Sequence, residues 1–375
     1  MSTSRERFLS LDVFRGMTVC FMIIVNTAGY GAKPYAPLEH AHWFGFTPTD
    51  LVFPSFLFAV GNALAFSLHK FEGRSVPYVL SKILRRVVLI FLVGFLMYWF
   101  PFFHTTPEGW AMNPIGHTRI FGVLQRIALC YGIAAMLAVW LPRKGIFWTG
   151  AVLLFAYWIL LYAFGQSGHE LEMQGNAGSV LDYFLLGENH MYHGEGIAFE
   201  PEGLLSTLPS VVNVLAGYLA GDFIRRKGKT FECIAMLMIA GAVLLFFAWF
   251  WGLVFPIGKK LWTSPFVLLT VGLDLLILPV LIYLVELRNW KRGVYFFTVF
   301  GKNPLFVYLV SELLVIIFWM IGMGNDQSFY QWINLLVFQK IAPGPFGALL
   351  FSVAFMLLCW FTGYLLDRKK LYVRL

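Results

Sequence analysis

Ten runs of about twenty mostly apolar residues succeed one another along this chain of 375 residues, approximately at 8–28, 50–69, 79–100, 119–141, 146–165, 203–224, 231–254, 263–287, 295–321 and 346–366. A helix needs about 20 such residues to cross a bilayer. The expected fold class is therefore all-α: a polytopic integral membrane bundle of about ten transmembrane helices, forming a single domain over 1–375. Composition agrees. Hydrophobic residues are 59% of the chain and charged residues only 13%, about half the roughly 25% of an ordinary soluble domain, too few to cover so much apolar surface in water. Disordered, fibrous and small disulfide-rich classes are excluded. Cys20, Cys130, Cys233 and Cys359 each fall inside an apolar run and read as small buried hydrophobes, with no disulfide expected. The first run holds Asp12 and Arg15 and is too long for a cleavable signal, so it is expected to stay in the mature protein. Segment 328–342 has a helical period but is too short to span, and is expected along the interface.

The net charge of +8 does not point to nucleic acid, because the basic residues sit in short clusters between apolar runs. Twenty of the 28 Lys and Arg fall on one side of the expected topology, from Arg5 and Arg7 through Lys70–Arg86, Arg143, Lys144, Arg225–Lys229 and Arg288–Arg292 to Arg368–Arg374. The connections opposite hold Lys33, Lys259, Lys260 and Lys340, with Arg119 at a helix mouth. Both termini are thus expected in the cytoplasm. The longest connection, 166–202, is acidic, lacks Lys and Arg, and falls outside. No repeat, low-complexity tract or linker divides the chain.

Ionisable groups within spans cost several kcal/mol unless paired or hydrated, so each is a functional candidate. Asp12 and Arg15, three apart on one helix, can form an internal ion pair; alternatively Arg15 faces an anionic ligand. Arg126 and Glu312 both lie in the outer halves of their spans and are candidates to pair with each other or to line a site. Asp274 sits near the middle of the eighth span. Thr47-Pro48-Thr49-Asp50 has the arrangement of a capping box at the outer start of the second span. His40, Asn26 and Asp50 fall together at the outer ends of the first two spans, where an imidazole oriented by a carboxylate can take a proton near neutral pH. His40 and His42 have no third ligand at helical spacing, and no metal site is expected. Phosphate-binding loops, dinucleotide-binding glycines and nucleophile elbows are absent.

Several segments resemble the heparan-alpha-glucosaminide N-acetyltransferase family and its bacterial members: Ser10-Leu11-Asp12-Val13-Phe14-Arg15-Gly16, Val25-Asn26, His40-Ala41-His42-Trp43-Phe44-Gly45-Phe46-Thr47 running into Asp50-Leu51-Val52-Phe53-Pro54, Gly122-Val123-Leu124-Gln125-Arg126, Leu186-Gly187-Glu188-Asn189-His190-Met191-Tyr192, Pro201-Glu202-Gly203, and Asn303 with Tyr308 and Glu312. The resemblance implies transfer of an acetyl group from cytoplasmic acetyl-CoA, as cosubstrate, to the amine of a glucosamine-type sugar across the membrane. It implies His40 as the catalytic histidine, Asn26 as its catalytic asparagine and Asp50 beside them. CoA phosphates would want cytoplasmic-side cations, for which Arg15 and Lys302 are the buried candidates and Arg85 and Arg86 weaker ones, with Asn303 beside Lys302; Arg126, His190, Glu202 and Glu312 are the candidates around the acceptor. Expected partners are acetyl-CoA, an amino sugar or terminal glucosamine, the bilayer and a second copy in a homodimer. Lysosomal members carry an extra luminal N-terminal domain; without one, a bacterial plasma (inner) membrane is the expected location. A sugar transporter or permease is the alternative, since polytopic folds with charges at mid-membrane also serve transport. The charge asymmetry makes a direct prediction. Reporter fusions after residues 33, 110, 180, 259 and 330 should read as external, and fusions after 74, 144, 228, 290 and 375 as cytoplasmic; an external C-terminus would refute the topology.

Overall fold

A computed structural model describes residues 8–71, 73–324 and 326–373; Arg5, Arg7 and Arg374, which count toward the basic face, lie outside the described residues. The chain opens with α1 (Leu9–Asn26), α2 (Pro48–Leu68) and α3 (Val76–Trp99), followed by an antiparallel hairpin of β1 (Phe103–Thr106) and β2 (Gly109–Met112). Then come α4 (Val123–Trp140), α5 (Arg143–Phe164), the short α6 (Ala177–Leu186), α7 (Thr207–Lys227), α8 (Phe231–Gly252) and α9 (Ser264–Leu281), which continues as a π-helical turn over Ile282–Leu287. The last elements are α10 (Val294–Lys302), α11 (Pro304–Met320), α12 (Phe329–Ile333), α13 (Gln339–Ile341) and α14 (Pro345–Arg368). Apart from the one hairpin the fold is all-α. Among the described residues, eight helices are long and apolar enough to cross a membrane, or nine if α10 and α11 count as one span. The third expected span, α3, has the length, but Lys82, Arg85 and Arg86 fall in its first three turns and shorten its apolar run.

The ninth expected span departs from a simple crossing. Rather than one helix over 295–321, α10 and α11 meet at an 83° bend. Pro304 brings no N–H to the helical ladder and crowds the residue before it; Asn303 accordingly leaves helical geometry at φ −129° and ψ 51°. The break frees backbone groups inside an apolar bundle, and other residues satisfy some of them. Arg15 Nε donates to the Gly301 carbonyl at 2.8 Å, placing a cation at the C-terminal end of α10 where the helix dipole favours one. Segment 328–342, expected along the interface, is an irregular helix in which α12 and α13 flank a π-helical turn over Asn334–Phe338.

Lipid tails are as apolar as leucine, so close van der Waals packing rather than the hydrophobic effect holds such helices together. Small residues permit it here. On α1, a Cβ added to Gly16 would collide with the Phe297 carbonyl of α10, while one on Gly301 would collide with that of Asp12. The pair α2 and α7 meets the same way, with Gly217 against the Phe58 carbonyl and Gly61 against that of Val214. The four cysteines are buried and unpaired. Gly16→Val should therefore push α1 from α10 and lower stability by about 1–3 kcal/mol, the usual cost of overpacking. Gly116→Ala, where an added Cβ meets nothing within 4 Å, should be neutral in the same thermal-unfolding assay.

Candidate active site

The connection from α1 to α2 carries His40, and the start of α2 fixes it. Asp50 is fully buried and divides its two oxygens. Oδ2 accepts from the Thr47 amide at 2.9 Å and the Ala41 amide at 3.2 Å, closing the capping box. Oδ1 is left for His40 Nδ1 at 2.7 Å. With Nδ1–H donated to the carboxylate, Nε2 carries the lone pair, the tautomer a general base or nucleophile needs. Lys259, in the connection from α8 to α9, places Nζ 3.1 Å from each ring nitrogen and 3.9 Å from Asp50 Oδ1. Burial lowers the imidazole's pKa below the ordinary histidine value, against the pull of Asp50, and the charges of Lys259 and Lys260 act in the same direction as burial. Burial also brings Lys259 down to about 8, with Asp50 opposing. The ring is therefore neutral at pH 7.

The acidic connection folds onto this region. Trp43 Nε1 donates to the Leu171 carbonyl at 2.8 Å and its ring lies 5.4 Å from that of Phe199; Lys260 pairs with Glu195 at 2.7 Å. Arg119 gathers the loop's other end, bonding Glu200 through two nitrogens, Glu202 at 2.7 Å and the Tyr98 hydroxyl at 3.3 Å, between the rings of Tyr98 and Tyr192. Asn26, at the end of α1, lies near the Glu312 carboxyl, as does Tyr308. Lys259 is within electrostatic range of Glu202, and Arg119 of Glu312. His40 with Asp50, Glu202 with Arg119, and Asn26 with Glu312 thus form three adjoining groups. Asn26 meets Glu312 in place of His40.

Three expected site residues are engaged elsewhere. Arg126 is fully buried and binds the start of α7: it donates to the carbonyls of Pro201, Gly203 and Ser206 and to the hydroxyls of Ser206 and Ser210, with its plane over Trp262. The anticipated Arg126–Glu312 pair is replaced by this staple, because backbone acceptors at a helix start surround the guanidinium. Asn303 commits both ends of its amide to the tail, donating to the Leu371 carbonyl and accepting from the Val373 amide. His190 binds the Thr118 carbonyl at 2.7 Å.

At the opposite end, a cavity of about 660 Å³ is lined by Arg15, Lys70, Arg86 and Lys302 among others, with Asp12 as the lining carboxylate. Arg15 is held by Asp12 at 2.9 Å and Lys302 by Asp367 at 2.7 Å. A smaller cavity of about 100 Å³ shares Arg15, Ala63, Arg86, Ile90, Pro304 and Leu305 with it and reaches Tyr308. The first residues of α11, Pro304 and Leu305, border both, so the positive end of a helix dipole adds to the cations. Tyr308 in turn touches Glu312. Two adjoining cavities with six lining residues in common thus lead from the cationic mouth to Tyr308.

A family model described as heparan-alpha-glucosaminide N-acetyltransferase, catalytic, matches residues 7–249. The chain belongs to this family. Heparan-alpha-glucosaminide N-acetyltransferase of Mus musculus is 28% identical over 374 residues, covering 83% of this chain and 54% of the relative. The protein of the same name from Homo sapiens is 27% identical over 370 residues, covering 84% and 54%. The chain spans about half the length of these relatives. The matched region includes Asn26, His40, Asp50, Arg119 and Glu202; Lys259, Lys302 and Glu312 lie beyond it. Lys259 and Arg119 are the site residues that sequence reasoning passed over. Their signal was position: the external connections hold few cations, and three of those few, Arg119, Lys259 and Lys260, converge here. Because Arg126 fills backbone acceptors at the start of α7, Arg126→Gln should lower the melting temperature, each acceptor left unsatisfied costing about 1–3 kcal/mol. It should leave the KM for an amino sugar unchanged. A raised KM with normal stability would make Arg126 a substrate residue after all.

Proposed function

We propose that this chain is a transmembrane N-acetyltransferase. It takes acetyl-CoA at the cationic mouth on the cytoplasmic side and transfers the acetyl group to the amine of a glucosamine-type sugar on the other. The observation that supports the reading is the pair of adjoining cavities leading from Arg15 and Lys302 to Tyr308, in a bundle that also carries a histidine oriented by a buried carboxylate, His40 on Asp50. The four cations and the helix start suit the phosphates of CoA, with guanidinium groups the stronger partners for phosphate. Arg15 and Asn26 are eleven residues apart on α1, about 16 Å by helical rise, a span that an extended pantetheine arm covers.

The chemistry is aminolysis of a thioester. The amine's nitrogen attacks the carbonyl carbon and the C–S bond breaks. The amine loses one proton to a base, which then passes it to the departing CoA thiolate, so that CoA leaves as the thiol. His40 Nε2 is the acceptor for that proton, and the Asn26 amide donates to the developing oxyanion. Transfer through an acetylated Nε2 uses the same atom; incubation with acetyl-CoA alone separates the routes, because only the second leaves a labelled protein. Asp50 holds Nδ1–H in either case, and Lys259 disfavours the imidazolium. The acidic connection over 166–202, which lacks Lys and Arg, favours approach of a protonated amino sugar.

The test is consumption of acetyl-CoA by the purified protein in the presence of glucosamine, which a permease would not catalyse. His40→Ala should cost about 10²–10⁴ in turnover, the usual loss of a proton-transfer group, while His42→Ala stays near wild type. Retention of more than about a tenth of wild-type turnover in His40→Ala refutes the assignment. Arg15→Ala and Lys302→Ala should weaken acetyl-CoA binding and leave acceptor binding alone. Since the Lys259 charge opposes protonation of His40, Lys259→Met raises the histidine's pKa. The acid limb of the rate profile should then move to higher pH, a shift that a purely structural lysine would not produce.

A further inference from the structure

A large cavity lies outside the transfer path. A groove of about 690 Å³ runs between α5, α7, α8 and α9, walled by such residues as Phe147, Leu154, Phe223, Met236, Leu244 and Trp251. Phe147, Phe155, Val243 and Phe247 on its rim are exposed, so it opens on the outer surface of the bundle. The helices on either side, α5 and α8, are the least buried of the candidate spans. From Met236 to Trp251 the groove extends about 22 Å by helical rise, more than half of the roughly 30 Å hydrocarbon core. At one end the stacked rings of Phe155 and Trp251, 4.6 Å apart, close it.

The other end is cationic. Arg143 at the start of α5 meets Asp222 at 2.5 Å, while Arg225 and Arg226 at the end of α7 meet the same carboxylate at 3.0 Å each. Three guanidiniums thus share one carboxylate, and Lys144 follows in sequence. Arg143 and Arg226 remain 53% and 41% exposed, with hydrogen-bonding capacity facing outward. Both stand one turn from groove residues: Arg143 precedes Ile146, and the Arg226 guanidinium lies 5.9 Å from the Phe223 ring. An apolar slot long enough for an extended hydrocarbon chain therefore ends beneath a surplus of positive charge, at the level where lipid phosphates lie.

We propose that this groove is a binding site for an anionic phospholipid. One acyl chain lies between α5 and α8, and the phosphate rests on Arg143 and Arg226. A neutral lipid fills the slot without answering the charge, and free phosphate answers the charge without filling the slot. The site stands apart from the acetyl-transfer path, so its test reads binding, not turnover.

The full chain in detergent micelles, titrated with palmitoyl-oleoyl phosphatidylglycerol or the matching phosphatidylcholine, reports bound lipid by native mass spectrometry. Phosphatidylglycerol should bind at least about fivefold more tightly, since each basic residue near a lipid surface contributes about that factor. Arg226→Gln should remove about fivefold of phosphatidylglycerol binding and weaken phosphatidylcholine, whose choline offsets its phosphate, less. Ala240→Trp, from an exposed groove-lining position, should weaken both lipids while thermal unfolding stays cooperative. Equal affinity for the two lipids overturns the proposal, as does phosphatidylglycerol binding that ignores Ala240→Trp. Displacement of the lipid by millimolar inorganic phosphate would reduce the site to an anion cluster. Conversion of a dimer to a monomer by Ala240→Trp would assign the groove to a second copy of the chain.

Discussion

Asp50 has no exposed surface and two carboxylate oxygens to satisfy, and the way it does so organises the candidate site. One oxygen ties down the start of α2 and the backbone at Ala41; the other reaches His40. A capping residue and an orienting residue are usually different side chains. Here a single buried charge links the conformation of the connection to the tautomer of the imidazole, so the geometry of His40 is as firm as the end of a helix. Lys259 completes the balance, because an isolated buried carboxylate would be costly and because its charge keeps the ring neutral.

The same demand for partners explains the broken helix. A continuous ninth span would leave no polar backbone exposed in the bundle; the bend at Asn303 and Pro304 creates free carbonyls and a helix start at membrane depth. Such irregular backbone is tolerated only where it is buried in protein or lines a cavity. Arg15 satisfies one end and the inner cavity borders the other. Arg126 and Arg15 therefore play unlike parts. Arg126 spends its donors on backbone that would otherwise be unsatisfied, whereas Arg15 does so at the edge of open volume. Burial alone would have ranked them the other way. A similar accounting leaves Asp274, hydrogen-bonded to Ser55 at 2.5 Å, with one oxygen lacking a partner among the described residues; no role follows from its position.

Much of this protein was determined by its sequence alone. The apolar runs dictate membrane-crossing helices because the hydrocarbon core sets their length, and that information is local. The capping box at Thr47 and Asp50 was legible for the same reason, since it spans four residues. The residue segments around Asn26 and His40 carry the family resemblance in the sequence itself. What required the tertiary structure was every pairing between distant elements. Arg126 and Glu312 carry opposite charges at similar depth, yet depth says nothing about which face of each helix meets which neighbour, and packing gave Arg126 to α7 and Glu312 to Asn26. Residues 295–321 read as one continuous span, and the 83° bend at Pro304 emerged only in the fold, where α1 approaches α10 through Gly16 and Gly301. Lys259 looked like one of a few external lysines until the fold carried it 219 residues back along the chain to His40. Local physics sets which segments are helices; only their packing decides which polar groups share a dry interior.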